Sequence, residues 1–202
     1  DANRGNCGSR SLEQAGSCPI ARSWDLGFDC TSIWFFQLVG REIHCVDYYD
    51  NTGKPIDFYV DILNQRKADY DYKYGTFYMP HDANKREMVS GTTLSASIAK
   101  MGYDVETMEC EMNVDFGINR VMQTLPRCWF DAEKCADGIV ALTNYRRRYD
   151  EKLRDYVEHP IHDWASHPAD SFRYLTKALE SVHRATGTGD RLAWQELKRK
   201  YA

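Results

Sequence analysis

Apolar and polar residues alternate strictly over "SWDLGF": Trp24, Leu26 and Phe28 fall on one side, Asp25, Gly27 and Asp29 on the other. That is the two-residue period of a half-buried strand. "TSIWFFQLVG", from Thr31, is apolar on both sides, as in a strand covered on two faces. "REIHCVDYYD" supplies a third strand, and the short spacings between the three favour hairpins. The chain therefore opens as an antiparallel meander. After the turn signal "NTGKP" the period changes, with Ile56, Tyr59, Val60 and Leu63 at helical spacing. A strand "GTFYMP" ends at Pro80, with His81 and Asp82 at its tip. Leu94, Ile98 and Met101 mark a second helix, Gly102 a stop, and "DVETMEC" a fifth strand. Strand, helix, strand, helix, strand implies parallel crossovers. The expected fold is α/β, a mixed sheet with helices on its faces.

Further helical faces follow at Val114, Ile118, Val121 and Leu125, then at Ile139, Leu142 and Tyr145, and lastly at Phe172, Leu175, Leu179 and Val182 with Pro168 in the first turn. Between the last two, "NYRRRYDEKLRDYVEH" is ambiguous. Tyr149, Leu153 and Tyr156 keep a heptad-like spacing, yet the segment also alternates well enough for a hairpin turning near Asp150 to Lys152; the pattern slightly favours helix. Residues 1–21 are rich in Gly, Ser, Asn and Cys without periodicity and read as linker. The domain is expected over residues 22–182, followed by a loop and a short basic tail over 183–202.

Composition narrows the class. The chain has 202 residues, 43% of them hydrophobic, enough for one domain with a substantial core. It shows no apolar run of bilayer length and no basic-then-apolar leader, so a soluble protein without membrane association is expected. Seven cysteines lie scattered without a Cys-x-x-Cys pair, the pattern of reduced thiols rather than a zinc ribbon. The net charge of −4 does not advertise a nucleic-acid binder, although an acidic metal site beside a local basic patch gives the same total. "NTGKP" lacks the upstream Gly and the following Ser or Thr of a phosphate-binding loop, so ATP hydrolysis is not expected.

Three carboxylates stand out. Asp25 sits in mid-strand among Trp, Leu and Phe, where burial is costly without compensation; the bland alternative is an exposed residue of an edge strand. Asp82 lies just past the carboxyl end of a parallel strand, where open α/β sheets place their ligand chemistry, though an N-cap or turn role explains it equally well. Asp170 falls in the first turn of the last helix if His167 is its N-cap, a position that the helix dipole favours by itself. If the three converge at one end of the sheet, they suit Mg²⁺ or Mn²⁺, and two such ions would serve phosphodiester cleavage. His81, His162, Asp163 and His167 lack the spacing of a zinc motif and fit ligand-orienting roles better. The run Arg146, Arg147, Arg148, Lys152 and Arg154, interleaved with tyrosines, suits phosphate contacts to DNA, or else a solvated face paired with Asp150, Glu151 and Asp155.

"WDLGFDCTSIWFFQ", "YMPHDANKRE", "LPRCWFDAEKC" and "HDWASHPADSFRYL", in that order and spacing from Ser23 to Leu175, resemble the nuclease domain of the large terminase subunit of tailed bacteriophages. The resemblance implies an RNase H-like fold and an endonuclease dependent on two Mg²⁺ or Mn²⁺ ions that cuts concatemeric double-stranded viral DNA during packaging. It maps the acidic triad onto Asp25, Asp82 and Asp170, with Asp29, His81, Asp163 and His167 as accessory candidates. It also implies a β-hairpin at "YRRRYDEKLRDYVEHP". Its partners would be an ATPase domain, a small terminase subunit and the capsid portal, in the host cytoplasm. Two other classes remain open on the residues alone: a phosphohydrolase of nucleotides built on His162 and Asp163, and a non-catalytic DNA- or portal-binding module.

Overall fold

In β3 (Thr31–Val39) the residues from Thr31 to Gln37 are all buried, because the strand is apolar on both sides and has a helical layer over each. The computed structural model describes residues 9–10, 19–26, 30–86 and 91–185. β3 pairs antiparallel with β2 (Ile20–Leu26) and with β4 (Glu42–Asn51). The β3–β4 turn closes over two residues, Gly40 and Arg41, with Gly40 at φ 64°, a left-handed conformation that glycine adopts without strain. Helix α1 (Ile56–Tyr70) then crosses back to β5 (Tyr74–Met79), which runs parallel to β2. A 3₁₀ turn (His81–Asn84) and α2 (Leu94–Lys100) lead to β6 (Val105–Thr107), parallel to β5. The order β4-β3-β2-β5-β6 is the RNase H-like topology anticipated above.

On the other edge, α3 (Val114–Thr124) leads through a 3₁₀ turn to β7 (Cys128–Asp131), parallel to β4. β1 (Ser9–Arg10) pairs parallel with β7 and completes a seven-stranded sheet. Neither strand is legible as such: β7 is four residues with no alternation, and β1 is two residues inside the stretch read as linker. β2 itself begins at Ile20, which is fully buried, two residues before the expected domain boundary. Met101, placed on the second helical face, instead follows α2 and is exposed.

After α4 (Ala136–Asn144) the ambiguous basic segment is a hairpin, β8 (Arg147–Asp150) and β9 (Asp155–Pro160). The helix that spacing slightly favoured is thus corrected. Asp150 Oδ1 accepts the backbone N–H of Lys152 and of Leu153, and Arg154 turns at φ 52°, so local side-chain bonding outcompetes helical propagation. Helix α5 (Ser166–Ala185) closes the described chain.

The sheet divides two cores. Ile20, Trp24, Ile33, Phe35 and Phe77 pack under α1 and α2, against Tyr59, Leu63 and Ile98. Trp34, Phe36, Tyr78 and Phe130 pack under α5, against Phe172, Leu175 and Leu179. None of the described cysteines forms a disulfide. The second core includes α4, which approaches so closely at Gly138 that a Cβ there would lie 2.7 Å from Trp34 Cζ2 and 2.8 Å from Tyr48 Cδ2. Gly138→Ala should therefore destabilise by about 1–3 kcal/mol, although alanine is the better helix former by up to about 1 kcal/mol. Urea unfolding measures it; a stabilised variant would show that this contact yields.

Candidate active site

Parallel pairing of β2 with β5 places Ser23 beside Tyr78, so the carboxyl ends of both strands lie together. Asp25 is two residues further along β2, and Asp82 is three residues beyond the end of β5. β2 lies between β3 and β5, which removes the edge-strand alternative for Asp25. On β2, Ile20 and Trp24 face the α1 side while Ala21 faces α5. By strand alternation Asp25 shares the α5 face.

α5 reaches this face because its first turns are fastened to β3. Trp34 Nε1 donates to the Pro168 carbonyl at 2.9 Å, and the hydroxyls of Ser32 and Ser171 lie 2.9 Å apart, all buried. The helix begins at Ser166, so His167 lies within it and is not its N-cap. Instead, His167 Nδ1 lies 2.8 Å from Asp25 Oδ2, joining the helix start to the strand end. Asp170 follows one turn later and is held by Arg173, with Nη2 at 2.8 Å from Oδ1. Asp82 occupies the 3₁₀ turn, where its carbonyl accepts the Lys85 N–H and its side chain makes no capping bond. Among the described residues, Asp82 Oδ1 is buried without a hydrogen-bond partner.

Electrostatics ties the three carboxylates together. Burial raises the Asp170 carboxyl above the ordinary carboxylate range; Arg173 opposes this and Asp25 adds to it. Burial also raises Tyr174, and Asp25, Asp82 and Asp170 each push it further in that direction. Tyr174 therefore stands within the field of all three acids. Tyr145, at the root of the hairpin, is raised by burial and then by Asp170. Sequence reading missed Tyr145, Arg173 and Tyr174 as site residues. The available signal was helical spacing, since Arg173 and Tyr174 fall three and four residues after Asp170.

The other candidates divide. Asp163 is engaged in framework bonds: Oδ1 accepts the Ala165 N–H, the carbonyl accepts Ser166 Oγ, and Oδ2 pairs with Arg146 at 3.4 Å. His162 Nδ1 lies 3.0 Å from Ser166 Oγ, with its ring edge-on to His167 at 5.3 Å. His81 is exposed. Asp29 lies outside the described residues. Arg147 pairs with Asp115 on α3, and Arg148, Lys152 and Arg154 are exposed along the hairpin with Tyr149, Leu153 and Tyr156. The hairpin's own acids serve its backbone: Asp150 closes the turn and Asp155 Oδ1 accepts the Tyr156 N–H.

Among the described residues, no three Asp, Glu, His or Cys side chains form a ready-made metal-ligand group. The donor set nonetheless has the chemistry of a hard-cation site, which draws on a few carboxylates and completes its shell with water and phosphate oxygens. The buried, unpartnered oxygen of Asp82 fits that use, because such an atom is costly unless something compensates it.

No protein-family model and no curated protein matches the chain. Among solved structures, the nuclease domain of the P22 large terminase superposes with a TM-score of 0.60 at 14% identity, covering 85% of this chain and 86% of that one. The fold is that of a large terminase nuclease domain. A complete large terminase from a thermophilic bacteriophage matches with a TM-score of 0.63 at 16% identity over 84% of this chain; the match spans only 41% of that protein's length. The large terminase nuclease of the thermophilic phage G20c, with bound magnesium, gives 0.55 at 12% identity, covering 81% and 83% of the two chains. No helix among the described residues is long and apolar enough to cross a membrane.

The raised Asp170 carboxyl has a consequence for stability. The folded state keeps its proton at pH values where the unfolded chain has lost it, so this group's contribution rises as pH falls toward the unfolded value. Asparagine removes the cost of burying the charge while its oxygen can still accept from Arg173. In metal-free buffer, Asp170→Asn should therefore melt higher than wild type at pH 7.5, with the gap narrowing toward pH 5. Calorimetry at both pH values checks this, and a variant less stable at pH 7.5 would contradict it.

Proposed function

We propose that the chain is a divalent-metal-dependent endonuclease of double-stranded DNA, acting in viral genome packaging. The observation that carries the reading is the meeting of Asp25, Asp82 and Asp170 at the carboxyl end of β2 and β5, one of them with a buried oxygen lacking a protein partner. The likeness in fold to large terminase nuclease domains, one of them with bound magnesium, supports it.

Two Mg²⁺ or Mn²⁺ ions are the proposed cofactors, with Asp25 shared between them, Asp82 holding one and Asp170 the other. When bound, such ions supply Lewis acidity at the phosphodiester and make water nucleophilic near neutral pH. The residues of the chain do the rest. His167 orients Asp25 through its 2.8 Å contact, the outer-ligand role that fixes which carboxylate oxygens stay available. Without cations the three acids repel a DNA phosphate, so substrate approach and metal uptake are coupled. Arg148, Lys152 and Arg154 on the hairpin hold the phosphate backbone and carry no sequence information, so cutting is expected to have little sequence preference. Arg146 and Arg147 anchor that hairpin to Asp163 and Asp115. Residues 22–182 are the proposed nuclease body. A motor ATPase, a small terminase subunit and the capsid portal are the proposed partners, with the host cytoplasm as the place of action.

Plasmid nicking and linearisation with Mg²⁺, Mn²⁺, Zn²⁺ or EDTA tests the activity. Cutting should require Mg²⁺ or Mn²⁺ and disappear in Asp25→Asn and Asp170→Asn, both still folded, while His167→Ala should lose about 10–100-fold. Full metal-dependent activity in either asparagine variant would refute the triad. For DNA binding, replacing Arg148, Lys152 and Arg154 by alanine should flatten the slope of log affinity against log salt by up to about three, roughly one per phosphate contact. An unchanged slope would remove the hairpin from the DNA interface.

A further inference from the structure

Asp170 is held in a way that burial alone does not produce. Two nitrogens of Arg173, Nε at 3.1 Å and Nη2 at 2.8 Å, donate to the same oxygen, Oδ1. An exposed pair at this helical spacing samples many geometries and gains little. Here the Arg173 side chain is only 13% exposed. Its stem runs past α3 where the sequence places Gly117: a Cβ there would lie 3.1 Å from Arg173 Cδ and 3.2 Å from Glu111 Cδ, and would overlap Glu111 Oε2. Glu111 is not at liberty to swing aside, because Arg120 grips both its oxygens at 2.8 Å. Arg120 is tied in turn to Glu180 and Thr176 on α5, and Thr176 Oγ1 donates to the Arg173 carbonyl. α3 and α5 together form a closed slot for one arginine stem.

We propose that Arg173 is a positioning residue that fixes the orientation of Asp170, occupying Oδ1 so that Oδ2 alone is presented to a divalent cation beside Asp25 and Asp82. Gly117 is the position that keeps the slot open. The inference rests on the metal-site reading above and adds to it the residue that decides which oxygen is offered.

The test is Mn²⁺ binding by titration calorimetry on the full chain, with thermal unfolding in parallel, for wild type, Asp170→Asn, Arg173→Met, Arg173→Gln and Gly117→Ala. Met and Gln remove the same charge, but only Gln can still donate to Oδ1. Arg173→Met should weaken Mn²⁺ binding about tenfold or more, Arg173→Gln should retain most of the affinity, and Gly117→Ala, which changes no charge, should weaken binding too. Met and Gln variants that shift alike, or a Met variant that binds as tightly as wild type or tighter, would overturn the proposal, because charge would then be all that matters. If Arg173→Met does not fold, Gly117→Ala binding Mn²⁺ like wild type overturns it. Wild type that takes up no Mn²⁺, or Asp170→Asn that binds like wild type, refutes the metal-site reading and this inference with it.

Discussion

The docking of the first turns of α5 on β3 is the contact on which the site depends. Trp34 donates its indole N–H to Pro168, Ser32 meets Ser171, and Phe172 closes edge-on against Trp34 at 5.2 Å. The indole is fully buried, so losing the Pro168 carbonyl would leave a dry donor, at a cost of about 1–3 kcal/mol. That penalty fixes where the helix starts. Because it starts there, His167 can reach Asp25 across 142 residues of sequence, and Asp170 falls one turn later on the same side.

The site then shows the usual tension between chemistry and stability. Three carboxylates near one tyrosine, one of them with its pKa raised by burial, are a poor way to stabilise a domain. The neighbouring structure compensates with cations and donors at defined atoms: His167 on Asp25 and Arg173 on Asp170. Asp82 has no such compensation at Oδ1. Elsewhere the fold handles a buried acid differently. Asp47 is fully buried and burial pushes its carboxyl up to about 6, but Arg66 at 3.2 Å and the Tyr48 amide satisfy it. Asp47 thus has the partners of a structural ion pair and Asp82 the open valence of a ligand, and this contrast favours the metal reading.

Much of this was legible from periodicity. The switch from two-residue to helical spacing after "NTGKP" located α1, and the two-sided apolar character of β3 marked the central strand. The three acids were found by their places at strand ends and a helix start. What spacing could not show was pairing. β7 is too short to alternate, and β1 has no pattern of its own and exists only through its partner. The hairpin was misjudged toward helix because tyrosines and a leucine at near-heptad intervals carry a helical signal, while the deciding bonds are local ones from Asp150. Arg173 and Gly117 were silent for a related reason: their roles lie in the fit between α3 and α5, and a single chain pattern does not encode that fit.

The most direct measurement is anomalous diffraction from crystals of the protein soaked in Mn²⁺. The account predicts anomalous density bounded by the carboxylates of Asp25, Asp82 and Asp170, with Oδ2 of Asp170 facing it. Mn²⁺ bound only elsewhere, with those three carboxylates left as they stand, would contradict the account and return Asp170 to the role of an acid at a helix start.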